Sequence, residues 1–109
     1  SAIGSEPHMP QLNSKDHWIN TMIGHAAANQ IPIIVSNRIG KETEGAIELN
    51  FYGNSFILDH LGNLINKMND KDEGIITASL DLLVSREYRK LWGNFRDRRP
   101  DLYKKILDF

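Results

Sequence analysis

At 109 residues, with 40% hydrophobic and 25% charged residues and a formal net charge of -1, the chain is long enough for one globular domain at most. It carries no overall field to draw it to nucleic acid or an anionic membrane. No apolar run reaches the roughly 20 residues of a membrane span, and the first residues lack the basic and apolar regions of a signal peptide, so the cytoplasm is the compartment expected. The absence of Cys excludes disulfides, thiolate metal sites and a cysteine nucleophile from within these residues.

SAIG (1–4) reads as the exit from a strand, and SEPHMPQLN (5–13), with two prolines, reads as a loop. Ser14 stands where an N-cap belongs. A helix is predicted over 15–29 from apolar or small residues at 18, 19, 22, 23, 26 and 27, and Asn29 marks its end. IPIIV (31–35) has no polar alternation, the mark of a strand buried on both faces. Gly40 breaks the chain, KETEG (41–45) is a charged loop, and AIELNFY alternates Ile47, Leu49 and Phe51 with polar neighbours as a half-buried strand. SFILD (55–59) and NLINKM (63–68) flank a short Gly-containing connection and predict a hairpin. GIITASLD (74–81) predicts a further strand. Asp81 then caps a helix over 82–92 whose buried side is drawn from Leu82, Leu83, Tyr88 and Leu91. Pro100 opens a short amphipathic helix with Leu102, Ile106 and Leu107 as its apolar positions.

This order predicts an α/β or α+β layout with a sheet covered on at least one face. One long helix and two short ones provide little cover for about five strands, so the chain is expected to be a subunit with a large interface or part of a larger domain.

Few constellations carry chemistry. His8, His17, His25 and His60 form no i, i+4 pair, and His17 and His25 are more than two helical turns apart, so no metal site is expected. His25 is expected to pack beneath the sheet and His60 to lie in a solvated turn. Ser55 in GNSFI lacks the second Gly of a nucleophile elbow and sits between strands, which leaves it a local hydrogen bond at the start of a strand. FRDRRPDLYKK (95–105) gathers five cations against two aspartates. It fits a salt-bridged arm that docks on another subunit, with phosphate or RNA contact as the other reading. Glu6, in a loop at a strand end, is where an α/β site would meet a ligand.

Taken together, SAIGSEP, DHW, GHAAANQIPIIVSNRIGKE, FYGNSFILDHLGN and FRDRRPDLY resemble the carboxy-terminal part of the carbon-nitrogen hydrolases of the nitrilase superfamily, from Ser1 to about Ile106. The resemblance implies a four-layer α-β-β-α sandwich, incomplete in this chain, with residues 1–109 as the C-terminal portion of one domain and 93–109 as its arm. It also implies a Glu, Lys and Cys triad upstream of Ser1. The chain is therefore expected to be the second part of a longer enzyme and inactive alone.

The resemblance assigns no catalytic residue, cofactor or metal to this chain. It implies that Ser1, Ala2, Ile3 and Gly4 line the substrate pocket, where a small residue and open backbone let a ureido group approach. Glu6 is implied to bind the distal ammonium of a small carbamoylated diamine, and Asn37 and Arg38 to brace the site. The implied partners are the upstream half of the same fold and further copies joined through helices and the arm. Neither nucleic acid nor membrane is among them. A hydrolase of carbamoyl amino acids or ω-amides, or a non-catalytic module that binds a partner or RNA through the arm, remains the alternative.

Overall fold

The computed structural model describes residues 1–106. It is built on one helix against one sheet. Helix α1, Ser14–Asn29, begins at Asn13, whose side chain accepts from the Lys15 N–H, and ends at Gln30 in the left-handed conformation. Asn13, not Ser14, is thus the cap, because the Ser14 hydroxyl is engaged elsewhere. Asn29 is still helical, and its amide donates back to the His25 carbonyl.

Strands β1 (Ile33–Val35), β4 (Phe56–Leu58) and β5 (Leu64–Lys67) form an antiparallel sheet in the order β1-β4-β5. The predicted SFILD and NLINKM hairpin is β4–β5. Phe56 and Leu58 point to α1 and, with Ala26, make a buried cluster packed by Trp18, Ile19, Met22, Ile23, Ile33 and Val35. The Trp18 and Phe56 rings tilt together at 5.7 Å. Burying side chains of this size stabilises by about 1.5–3 kcal/mol each, so this contact fixes helix to sheet.

The opposite face is different. Ile34 pairs with Ile57 across the sheet, and Ile57 is buried while Ile34 is 70% exposed. IPIIV was expected to be covered on both faces; here it is an edge strand covered on one. GIITASLD forms no strand. Its backbone finds no ladder partner, and the Asn66 amide reaches the Thr77 carbonyl at 3.3 Å. Residues 74–76 instead run beside β1 and β4, where Ile75 is 91% exposed.

KETE, expected as a loop, is strand β2 (Lys41–Glu44), paired with β3 (Ile47–Asn50) in a separate ribbon. The alternating AIELN segment supplies the ladder, and Lys41 meets Glu48 at 2.7 Å across it. Phe51, just past β3, is buried as predicted.

Helix α2, Leu82–Trp92, is capped by Asp81, whose carboxylate accepts from Leu83 and Val84 N–H at 2.9 and 3.2 Å. The Leu82, Leu83 and Leu91 side chains do not form its buried face. All three are exposed, and the contact with the body is polar: the buried Ser85 hydroxyl donates to the Gln30 carbonyl at 2.8 Å. Tyr88 is half-buried, edge-on to His60 at 5.3 Å, and His60 lies in a turn as expected. His25 does not lie under the sheet but on the exposed side of α1.

A 3₁₀ helix, Pro100–Ile106, follows, with Leu102 and Ile106 exposed. Leu107 lies outside the described residues. Arg96 pairs with Asp97 and Arg99 with Asp101 through two hydrogen bonds each, so the alternation of charges is locally neutralised. None of the helices among the described residues is long and apolar enough to cross a membrane. The Cα radius of gyration is 17.9 Å, where about 13 Å is usual for a domain of this length. A flattened layer with one open apolar face explains the difference.

Candidate active site

The expected site residues fall on a short backbone crossing. Residues 1–5 run between the segment after β1 and the segment after β3. On the β3 side, Ser5 N–H donates to the Asn50 carbonyl at 2.8 Å, Asn50 N–H to the Ser5 hydroxyl at 3.0 Å, and Tyr52 N–H to the Ile3 carbonyl at 3.0 Å. Gly4 and Phe51 form an antiparallel bridge between them.

On the β1 side the ladder is completed by a side chain. Asn37 is buried, and its Oδ1 accepts from Ile3 N–H at 2.9 Å while its Nδ2 donates to the carbonyls of Ile3 and Gly53, each at 3.0 Å. The Ser1 hydroxyl reaches the Ser36 carbonyl at 2.8 Å. Arg38 N–H donates to the Ser1 carbonyl at 3.1 Å. Ser55 closes the arrangement from below, its hydroxyl accepting from Asn37 N–H at 2.9 Å. Ser55 was expected to make a local hydrogen bond; its hydroxyl instead bonds the Asn37 backbone, distant in sequence, because β4 lies beside β1.

Two glycines permit this crossing. A Cβ on Gly4 would lie 2.7 Å from the Asn50 carbonyl oxygen, so the neighbouring strand by itself requires the small residue there. Gly53 has φ +57 and a Cβ there would meet Ile39 and Asp70 within 2.8 Å. It turns the chain with Asn54, also in the left-handed region, so that the Gly53 carbonyl faces Asn37.

Ser1, Ile3, Asn37 and the Arg38 backbone are thus brought together. The Arg38 guanidinium is turned outward, stacked over Phe51 at 4.6 Å and paired with Glu42. Gly4 is buried, while Ala2 and Glu6 are exposed. Glu6 lies where the chain leaves the crossing, and its carbonyl accepts from Met9 N–H at 2.9 Å, a turn that opens the loop to α1. A polar hollow of about 420 Å³ lies on the other side of Asn37, with Ser36, Arg38, Ser55, Asp72 and Glu73 on its wall. Among the described residues no group of three or more His, Asp or Glu is gathered to hold a metal ion.

Sequence reasoning missed Ser14 and Tyr52. Their hydroxyls lie 3.1 Å apart beside the Gly4 carbonyl. Only the tertiary crossing brings position 14 to position 52, and neither spacing nor periodicity signals it.

The carbon-nitrogen hydrolase family model matches residues 3–90. The chain is 49% identical to the N-carbamoylputrescine amidase of Oryza sativa subsp. japonica and 47% identical to the citrullinase of Francisella tularensis. In both cases the match covers 98% of this chain and 37% of the relative. A crystal structure of a carbon-nitrogen hydrolase from Helicobacter pylori G27 superposes with a TM-score of 0.85 at 37% identity, over 98% of this chain and 39% of that one. The chain therefore spans a little over a third of the length of the curated relatives it matches, and its fold is that part of the nitrilase-like fold.

Proposed function

The chain belongs to the carbon-nitrogen hydrolase family, and from that premise we propose that the full-length protein hydrolyses N-carbamoylputrescine to putrescine, ammonia and carbon dioxide, a cytoplasmic step of polyamine synthesis. Residues 1–109 supply the substrate side of the site and not its nucleophile, since they contain no Cys. The Glu, Lys and Cys of the family chemistry lie upstream of Ser1 in this reading. The Cys sulfur bonds to the ureido carbon, Lys holds the oxyanion, and Glu passes a proton to the departing ammonia and then takes one from water. The carbamate so released loses carbon dioxide to leave the amine.

The observation that carries the choice of substrate is Glu6, an exposed carboxylate at the end of a crossing locked by Asn37. An ammonium removed from water needs a charged partner, because leaving it unpaired costs several kcal/mol. Ser1, Ala2, Ile3 and Gly4 line the approach in this proposal, Glu6 holds the distal ammonium, and Asn37 with the Arg38 backbone braces them. The exposed face of β1 and of α2 is covered by the upstream half of the fold and by further copies, joined through helices and the 93–109 arm.

Citrulline is the second reading, supported by the 47% identity to a citrullinase. It carries a carboxylate as well as an ammonium, and a carboxylate calls for Arg or Lys nearby. Residues 1–14 contain neither. Steady-state assays of the full-length protein on N-carbamoylputrescine, citrulline and N-carbamoyl-β-alanine decide: a higher kcat/KM on citrulline selects the second reading, and preference for N-carbamoyl-β-alanine refutes both.

A further inference from the structure

The two ends of the loop that carries Glu6 meet at one point. The loop leaves the crossing after Gly4 and ends at the capped start of α1. There the Ser14 hydroxyl lies 3.4 Å from the Gly4 carbonyl and 3.1 Å from the Tyr52 hydroxyl. Each hydroxyl has one proton to give. The arrangement that uses both runs from Tyr52 O–H to Ser14 Oγ and from Ser14 O–H to the Gly4 carbonyl. Tyr52 is itself held, its N–H donating to the Ile3 carbonyl at 3.0 Å and its carbonyl accepting from the Asn54 amide.

We propose that Ser14 and Tyr52 are positioning residues that staple the base of this loop, hold Glu6 towards the substrate, and so set selectivity for a cationic substrate. The inference rests on the role given to Glu6 in the proposed function. Inside the loop, turns close from Met9 N–H to the Glu6 carbonyl at 2.9 Å and from Leu12 N–H to the Met9 carbonyl at 2.8 Å. The backbone of Glu6 is thereby tied into the loop that the base closes. Fixing the base reduces the ordering that ammonium binding would otherwise have to impose.

The test is carried out on the full-length protein with N-carbamoylputrescine and with N-pentylurea, its uncharged isostere. Tyr52→Phe and Ser14→Ala are expected to raise KM for the cation by about 3- to 10-fold, the range of one lost hydrogen bond. They should leave kcat on the cation nearly unchanged and raise KM for N-pentylurea by clearly less than for the cation, with Ser14→Thr restoring KM. Glu6→Gln, measured beside them, should raise KM on the cation, and Tyr52→Phe added to it should do no further harm. Equal losses on both substrates would make the pair merely structural and overturn the proposal. An unchanged KM in Tyr52→Phe and Ser14→Ala while Glu6→Gln raises it overturns the staple and leaves the Glu6 role standing. If Glu6→Gln keeps the preference for the cation, the Glu6 role falls and the staple's effect on selectivity falls with it.

Discussion

Asn37 and Ile3 are joined by both ends of one amide: Oδ1 accepts the Ile3 N–H at 2.9 Å and Nδ2 donates to the Ile3 carbonyl at 3.0 Å. A side chain here does the work of a neighbouring strand. It adds to a backbone pairing that residues 1–3 make on both sides, from Arg38 N–H to the Ser1 carbonyl and from Tyr52 N–H to the Ile3 carbonyl.

That geometry makes Asn37→Asp more informative than a simple truncation. The carboxylate keeps the acceptor for Ile3 N–H but turns the donor into a second acceptor, facing the carbonyls of Ile3 and Gly53. A buried charge set against two carbonyls should cost about 2–4 kcal/mol, at least as much as Asn37→Ala. Denaturant unfolding of the full-length protein measures it, and Asn37→Asp behaving like wild type would show that the amide does not clamp residues 1–3.

Gly4 and Gly24 predict opposite signs for the same substitution. A Cβ on Gly4 meets the Asn50 carbonyl and the Phe51 backbone, none of which can move aside alone, whereas a Cβ on Gly24 meets nothing within 4 Å. Gly4→Ala should therefore destabilise, and Gly24→Ala, inside α1, should stabilise by up to about 1 kcal/mol. The shift in unfolding midpoint should be downward for the first and upward for the second. Two shifts of the same sign would contradict the packing described at Gly4.

The β4–β5 turn predicts a dependence on pH. Burial pushes the Asp59 carboxyl up, but hydrogen bonds from the Asn63 side chain and backbone and the Leu61 N–H, with the His60 charge, outweigh it and leave the group below its ordinary value. A carboxyl lowered on folding contributes stability that is complete above its unfolded value, near 3.9. That contribution is lost as the pH falls through the lower folded value. Asp59→Asn should lower stability at pH 7 and flatten the acid limb of a stability profile measured from about pH 2.5 upward. Parallel acid limbs in the two proteins would show that the turn carries no such coupling.

Much of this was legible in the residues. The spacing of α1, the SFILD and NLINKM hairpin and the Asp81 cap all depend on local pattern, and all formed where local pattern placed them. What was misread depends on partners. GIITASLD has the composition of a strand, yet a strand exists only where another backbone offers a ladder. KETE looked like a loop because its charges hide that AIELN provides one. Ser14 is as good a cap as Asn13 by composition, and only the presence of Tyr52 and Gly4 beside it decides which of them caps. The residues of the crossing were identified by resemblance. Their mutual bonds were not, because no sequence pattern encodes an amide reaching from position 37 to position 3.

The open face yields the last prediction. Ile34 is 70% exposed and Ile75 91% exposed, beside one another on the side of the sheet away from α1, while Leu82, Leu83, Leu91 and Trp92 are exposed on α2. Apolar surface of this extent drives association in water. Residues 1–109 expressed alone should self-associate, visible as a high and concentration-dependent mass in light scattering, and Ile34→Glu should reduce that mass. In the full-length protein the same substitution should have the opposite consequence. If the upstream half covers Ile34, Ile34→Glu buries a charge without a partner there, and it should lower stability by about 3 kcal/mol or more. A full-length Ile34→Glu protein as stable as wild type would mean that nothing covers this face, and a monodisperse, cooperatively melting monomer of residues 1–109 would mean that it needs no cover.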